Sequence, residues 1–291
     1  MSDDNPVLRT GLIGAGIQAS RSPVMHMREA RALGLNLVYD LFDLDRIDGG
    51  VAALPKILDH VRERAYLGVN ITHPVKQSVL DFLDDCSDDA RALGACNTVV
   101  FKDGRSKGYN TDWIGFAESF RRGLPGASLD AVVQLGAGGA GSAVTYALLK
   151  LGARRVAVHD VDPVRAGNFV ERFNSLAERE LVFAARALDR EIADATGVIN
   201  CTPVGMEKHP GTSLPAPLLR PDVWVADIVY VPLHTQLLQL AEAAGCRTLA
   251  GGGMAVFQAA EAFRLFTGAA VDAERMLRQF QQDVTAEKGA G

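Results

Sequence analysis

The sequence predicts an α/β protein in two domains, the second built on a doubly wound parallel sheet. Three observations lead there. Short apolar runs of strand length alternate with helix-length stretches along most of the chain, which is the pattern of β-α-β units. The run Ala131-Val-Val-Gln-Leu135 opens onto a glycine-rich turn, Gly136-Ala137-Gly138-Gly139-Ala140-Gly141, and then onto a helix-forming stretch from Ser142 to Leu149. A second break, Gly251-Gly-Gly253, precedes two further helical stretches. The expected division is residues 1–111, 112–252 and 253–291, with the helices of the last segment packing back on the first domain.

A chain of 291 residues is long enough for two domains with proper cores. Hydrophobic residues make up 48% and charged residues 22%, which are ordinary globular proportions. The net charge of -5 gives no basic footprint for nucleic acid. No apolar run reaches the roughly 18 residues needed to cross a membrane, and no N-terminal stretch has the regions of a signal peptide. Cys86, Cys96, Cys201 and Cys246 show no C-x-x-C spacing. In a chain of this size they read as reduced thiols of a cytoplasmic protein. The six histidines form no ligand cluster, so no metal site is expected.

Taken in order, Leu8 to Gly14 reads as a buried strand. Pro23 belongs in the first turn of a helix running from Val24 to Leu33, with Ser22 as its N-cap. Asn36 to Phe42 alternates as a strand, with Leu37, Tyr39 and Leu41 on one face. Gly50 to Arg64 is helical, and Tyr66 to Thr72 is a strand that stops at His73-Pro74. Pro74 is expected to start a helix over Val75 to Phe82, which puts Lys76 in a first helical turn, a poor place for a cation. Leu93 to Phe101 reads as a strand, Asp103-Gly104 as a turn, and Trp113 to Arg121 as a helix with Asp112 at its start. These alternations predict a parallel sheet in the first domain as well. In such sheets ligands collect beyond the carboxyl ends of the strands, where Asn70, Thr72 and Lys76 lie. In the second domain Pro163 to Ala177 reads as a helix, Leu181 to Ala185 and Gly197 to Asn200 as strands, and Val223 to Val229 as the last main strand. Helices over Met254–Thr267 and Val271–Gln282 follow. The tail from Ala286 to Gly291 is expected to be disordered.

The turn at 136–141 carries the chemistry of the second domain. Glycines at 136, 138 and 141 fit G-x-G-x-x-G between a strand and a helix. That arrangement lets a backbone approach a pyrophosphate and offers it free N–H groups at a positive dipole end. Asp160 follows 19 residues after Gly141, at the end of the next apolar run, where a carboxylate accepts hydrogen bonds from an adenosine ribose diol. The segment Gly14-Ala-Gly16-Ile-Gln-Ala19, with Asp40 and Asp43 beyond it, fits a similar pattern. However, its glycines do not open directly onto a helix N-terminus, because the helix waits for Pro23. That loop presents two hydroxyls instead, Ser20 and Ser22.

Together these motifs resemble those of the shikimate/quinate dehydrogenases over nearly the full chain. The matching segments are Ser20-x-Ser22-Pro23-x-x-His26, Asn70-Ile-Thr72-His-Pro74-Val-Lys76, Gly94-Ala-Cys-Asn97-Thr98 and Asn110-Thr-Asp112. Further along are Asn200 to Met206, Asp227 to Thr235, and Gly251 with Gln258. The resemblance implies a two-domain enzyme with a Rossmann-type NAD-binding domain, acting on a carboxylated cyclohexene or cyclohexane polyol. It implies that Ser20 and Ser22 bind the substrate carboxylate, that Asn70, Thr72, Asn97 and Gln258 hold ring hydroxyls, and that Tyr230 lines the site. Lys76 and Asp112 would be the catalytic pair across the domain cleft. The cofactor would meet Gly136, Ala137, Gly138, Gly139, Ala140, Gly141, Asp160, Thr202, Val229 and Gly251. The chemistry suits those residue types. Oxidising a secondary alcohol requires removing a hydroxyl proton as hydride leaves, a lysine can relay that proton, and a carboxylate can orient the lysine.

One departure from the family pattern bears on the cofactor. Members that use NADP carry an Asn-Arg-Thr-like stretch to hold the 2′-phosphate, whereas here the stretch is His159-Asp160-Val-Asp162. A carboxylate there favours NAD over NADP, although Arg154, Arg155 and Arg165 lie nearby in sequence. NAD use and Arg21 inside the serine loop resemble the quinate/shikimate branch, while Ser22, where that branch uses threonine for quinate, leans toward shikimate. The resemblance leaves open a non-catalytic sensing relative, a dehydrogenase for a related substrate such as aminoshikimate, and a monomer or a homodimer. Neither nucleic acid nor a membrane is an expected partner.

Overall fold

A computed structural model describes residues 6–290 and divides into two compact units, residues 1–111 with 258–291 and residues 112–257. The second boundary falls between Phe257 and Gln258, a few residues beyond the Gly251-Gly-Gly253 break.

The first unit contributes, in chain order, β1 (Leu8–Gly14), α1 (Ser22–Ala32), β2 (Leu37–Asp43), α2 (Leu54–Glu63), β3 (Gly68–Ile71), β4 (Asp85–Cys86), α3 (Asp88–Leu93), β5 (Thr98–Lys102) and β6 (Arg105–Tyr109). Its sheet has the order β2-β1-β3-β5-β6-β4. Strand periodicity divides the core between the two faces. On β1, Ile13 packs with Leu54, Leu58, Val61 and Ile71, while Leu12 packs with Leu37, Tyr39 and Phe263.

This sheet is mixed, not parallel as the alternation suggested. β1, β2 and β3 run parallel, but β5 is antiparallel to β3, and β6 is antiparallel to β5. The β5–β6 reversal comes from the Asp103-Gly104 turn, in which both residues have positive φ (52° and 74°). A two-residue turn of that kind joins only antiparallel strands. The expected helix over Val75–Phe82 also fails to form. Only Ser78–Phe82 winds, as a 3-10 turn. The Lys76 carbonyl accepts the Cys96 N–H at 2.7 Å instead of a helical partner, so Lys76 lies in a turn and the helix-dipole argument does not apply to it.

The second unit holds α4 (Asp112–Gly123), β7 (Val132–Leu135), α5 (Gly139–Lys150), β8 (Val156–His159), α6 (Pro163–Ala177), β9 (Val182–Ala184), α7 (Leu188–Ala193), β10 (Gly197–Asn200), β11 (Trp224–Asp227), α8 (Gln236–Ala243) and β12 (Arg247–Ala250). All six strands are parallel, in the order β12-β11-β10-β7-β8-β9. The strand order reverses between β7 and β10, the point at which doubly wound sheets take ligands. β11 is not the last strand, because β12 adds a four-residue edge beyond it.

Two helices close the chain, α9 (Gly252–Thr267) and α10 (Ala273–Ala290). The glycine break is therefore the start of α9. The expected disordered tail is helical as far as Ala290, and Gly291 lies outside the described residues. From Gln258 onward these helices belong to the first unit. Buried Glu29 on α1 accepts hydrogen bonds from Arg275 Nη2 and Nε on α10 at 2.7 and 3.0 Å, and from the Asp272 N–H at 3.0 Å.

Candidate functional site

In the first unit the predicted polar residues gather at the ends of β1 and β3 and around β5. Ser22 does not cap α1; it is the first residue of the helix, and the preceding Arg21 makes no side-chain cap bond. The Ser22 N–H donates to Ser20 Oγ at 3.3 Å, which ties the two hydroxyls into one turn. The loop leading to them is held by Asp43 at the end of β2. Asp43 accepts the Gln18 side-chain amide at 2.9 Å, the Gly16 N–H at 3.0 Å and the Asp45 N–H at 3.2 Å. The Gln18 bond, helped by these N–H groups against the cost of burial, keeps its carboxyl below the usual range. Gly14-Ala-Gly16 therefore serves as a loop anchored to an acid, in line with its reading as an approach to the serines.

Asn70 is buried on β3. Its Nδ2 donates to Thr98 Oγ1 at 3.2 Å and to the Asn97 carbonyl at 3.4 Å. Asn97, immediately before β5, accepts the Thr111 N–H at 2.7 Å and the Thr98 hydroxyl at 3.0 Å on Oδ1, and its Nδ2 donates to Thr111 Oγ1 at 2.9 Å. Thr111 Oγ1 lies 3.4 Å from Gln258 Oε1 on α9. Asn70, Asn97 and Gln258 thus belong to one continuous hydrogen-bonded set. Thr72 and half-buried Lys76 follow β3, where the Thr72 N–H donates to the Ile13 carbonyl at 2.9 Å. Asp112 opens α4 in the second unit, an end that favours a carboxylate.

In the second unit each glycine of the loop has a distinct cause. Gly136 has φ 100°, which only glycine adopts freely. A Cβ on Gly141 would lie 2.5 Å from the Gly136 carbonyl oxygen, so glycine is needed for helix-to-turn packing. Gly138 is different. Its φ is an ordinary -85°, and a Cβ there would meet nothing within 4 Å. Nothing among the described residues requires glycine at 138, while a pyrophosphate laid against this backbone does. Gly138, Gly139 and Ala140 are exposed, and Gly138 places no side-chain cap on the α5 N-terminus. The residues present fit a dinucleotide.

Asp160 does more than the sequence implied. Its Oδ2 accepts the N–H of Ala137 at 2.8 Å and its Oδ1 the N–H of Asp162 at 2.9 Å, with Arg165 Nη1 at 3.4 Å. Burial works to raise its pKa, but those N–H groups and the arginine hold it below the usual carboxylate range. A carboxylate oxygen has room for a second donor, so the charged Asp160 can staple the loop and still accept a ribose hydroxyl. On the other side of the reversal point, Asn200, Asp227 and Thr235 form a buried set. Asp227 accepts Asn200 Nδ2 at 2.9 Å, the Val229 N–H at 3.0 Å and the Thr235 hydroxyl at 2.7 Å, and burial raises its carboxyl pKa against these bonds. Thr202 donates its hydroxyl to Asn200 Oδ1 at 2.6 Å. This set fixes the loops that carry Thr202, Val229 and exposed Tyr230. Gly251 sits against the Ile228 carbonyl, where a Cβ would collide.

Comparison with known proteins decides the family. A family model described as the shikimate dehydrogenase substrate binding domain matches residues 12–99, and one described as the shikimate 5'-dehydrogenase C-terminal domain matches residues 251–279. The chain is 53% identical to a shikimate dehydrogenase (NADP(+)) of Streptomyces avermitilis, over 92% of each chain. The chain belongs to the shikimate dehydrogenase family. Within that family it is also 48% identical to a quinate/shikimate dehydrogenase (NAD(+)) of Corynebacterium efficiens, over 96% of this chain and 99% of the relative. Among solved structures, a quinate dehydrogenase of Corynebacterium glutamicum in complex with NAD superposes with a TM-score of 0.92 at 44% identity, covering 96% of this chain and all of that one. Like the rest of the family, the chain is an oxidoreductase acting on a CH-OH group.

Sequence reasoning passed over several residues that hold this family's motifs in place. Tyr39 counted only as part of an apolar face, and Thr98 and Thr111 only as neighbours of Asn97 and Asp112. The signal available for Tyr39 was that a tyrosine on a buried face needs a partner for its hydroxyl.

Proposed function

We propose that this shikimate dehydrogenase family member interconverts shikimate with 3-dehydroshikimate using NAD, with quinate as a second substrate, and that Lys76 and Asp112 are its catalytic pair. The observation that carries the cofactor half is the exposed, side-chain-free backbone at Gly138 beside a charged Asp160. NAD held there would supply the hydride acceptor.

The chain's own residues do the rest. Asp160 accepts the free ribose hydroxyls of NAD and repels the extra phosphate of NADP by like charge. Gly136 to Gly141 bind the pyrophosphate, and Thr202, Val229 and Gly251 line the cofactor's course. Ser20 and Ser22 hold the substrate carboxylate. Asn70, Thr72, Asn97 and Gln258 hold the ring hydroxyls, and Tyr230 covers the ring. Lys76 Nζ takes the proton released by the reacting hydroxyl, and Asp112 is the second member of the proposed pair. The interlocked set from Asn70 to Gln258 supports this assignment, because a preorganised polar surface costs little to order when a polyol binds. Four free cysteines, three of them buried, support a cytoplasmic setting, and we take the enzyme to act as a monomer or a homodimer.

Shikimate-dependent formation of NADH, followed in the wild type and in Lys76→Ala, tests the assignment. The variant is expected to lose kcat by about 10²–10⁴-fold, the usual worth of a proton-transfer group, with a much smaller change in KM. Wild-type turnover by Lys76→Ala would remove Lys76 from the mechanism.

A further inference from the structure

Tyr39 lies in the middle of β2 with its side chain buried at 6% exposure. Its ring packs on that of His26, with centroids 4.9 Å apart, in an apolar cluster with Leu12, Leu37 and Phe263. A phenylalanine would satisfy that cluster. The hydroxyl is what the packing does not explain. It donates to Asn70 Oδ1 at 2.8 Å, and the Ser22 side chain lies beside its oxygen. One buried oxygen thus lies between Ser22 in the first turn of α1 and Asn70 on strand β3, to which it is bonded. Those two segments carry different parts of the proposed substrate surface, the carboxylate-binding hydroxyl of Ser22 and the ring-binding amide of Asn70.

The Tyr39–Asn70 bond also fixes orientation. Asn70 can present either its carbonyl oxygen or its amide nitrogen on a given side. With Oδ1 turned to the Tyr39 hydroxyl, Nδ2 is turned toward Thr98 and the Asn97 carbonyl. Through Thr98 and Asn97 the same chain of bonds reaches Thr111 and Gln258. Tyr39 is therefore the point at which the serine loop joins the hydroxyl-binding network.

The geometry points to Tyr39 as a positioning residue of the substrate surface, whose hydroxyl sets the spacing of Ser22 from Asn70 and the orientation of the Asn70 amide. This rests on the proposed roles of Ser22 and Asn70 in substrate binding. Tyr39 does not touch substrate in this scheme. It acts through its two partners.

The test is steady-state kinetics of the wild type, Tyr39→Phe, Ser22→Ala and the double variant. Tyr39→Phe is expected to raise the KM for shikimate about three- to tenfold, the span of a net neutral hydrogen bond. It should change kcat by less than about twofold and leave the KM for NAD unaltered, because no cofactor segment is involved. In the Ser22→Ala background the Tyr39→Phe effect should shrink, since part of it passes through Ser22. An unchanged shikimate KM in Tyr39→Phe, with a raised one in Ser22→Ala, would reduce Tyr39 to a packing residue. An unchanged shikimate KM in Ser22→Ala would overturn the reading of the serine loop itself, and the positioning role with it. If Tyr39→Phe folds in low yield, the shikimate-induced rise in melting temperature of the folded fraction replaces the KM comparison. A rise equal to that of the wild type contradicts the proposal, and a smaller rise supports it.

Discussion

Asp160 has a structural role that the coordinates show and a proposed role in cofactor selectivity. Its two oxygens hold Ala137 in the glycine loop and Asp162 ahead of α6, and its charge is kept by those same N–H groups. Arg165 stands 3.4 Å away, a cation that a 2′-phosphate could use once the carboxylate charge is gone. Asp160→Asn keeps one acceptor for the loop and removes the charge. It is expected to raise the KM for NAD and to shift the ratio of kcat/KM with NADP to that with NAD upward on the order of tenfold, equivalent to ~1.4 kcal/mol. Paired initial-rate measurements with the two cofactors check this, and an unaltered ratio would mean that selectivity lies elsewhere. The sequence suggested a ribose role for Asp160 because strand, turn and acid spacing are local signals. It did not show the staple to Ala137, which depends on how the turn folds back.

At the scale of elements, α1 packs His26 into a fully buried aromatic setting with Tyr39, Phe263 and Phe266. Among the described residues neither ring nitrogen has a hydrogen-bond partner, and burial pushes the imidazole pKa down to about 3 from 6.5. The unfolded chain therefore takes up a proton below about pH 6.5 that the folded chain refuses until near pH 3. The contribution to stability is complete above that window and is lost as pH falls through it. Between about pH 7 and pH 5 the loss from this group alone is about 2 kcal/mol. Denaturant unfolding at the two pH values should show that loss in the wild type and its absence in His26→Phe; equal slopes in the two proteins would contradict it. Elements were legible where the signal was local. β10 at Gly197–Asn200 and α6 at Pro163–Ala177 fall where periodicity and Pro163 put them. They were illegible where a distant partner decided the outcome. Cys96 takes the Lys76 carbonyl and prevents the helix expected at Val75, and β12 is a strand because β11 offers it an edge.

At the scale of the molecule, two units have different sheets, an all-parallel one to which the proposal assigns the dinucleotide and a mixed one to which it assigns the polyol. The glycine loop, the serine loop and the Asn70–Lys76 segment could be read in order along the chain because each is short and its chemistry is local. The network from Ser22 through Tyr39 and Asn70 to Gln258 could not, because it joins residues from β2, β3, β5 and α9 that sequence alone keeps far apart. Relatives named for NADP and for NAD match this chain at 53% and 48% identity, and the proposed role of Asp160 favours NAD. The measurement that bears most directly on the account is kcat/KM for shikimate and for quinate, each with NAD and with NADP. The account predicts turnover of shikimate with NAD well above that with NADP, and quinate turnover no greater than that of shikimate. A strong preference for NADP, or no turnover of either acid with NAD, would contradict it.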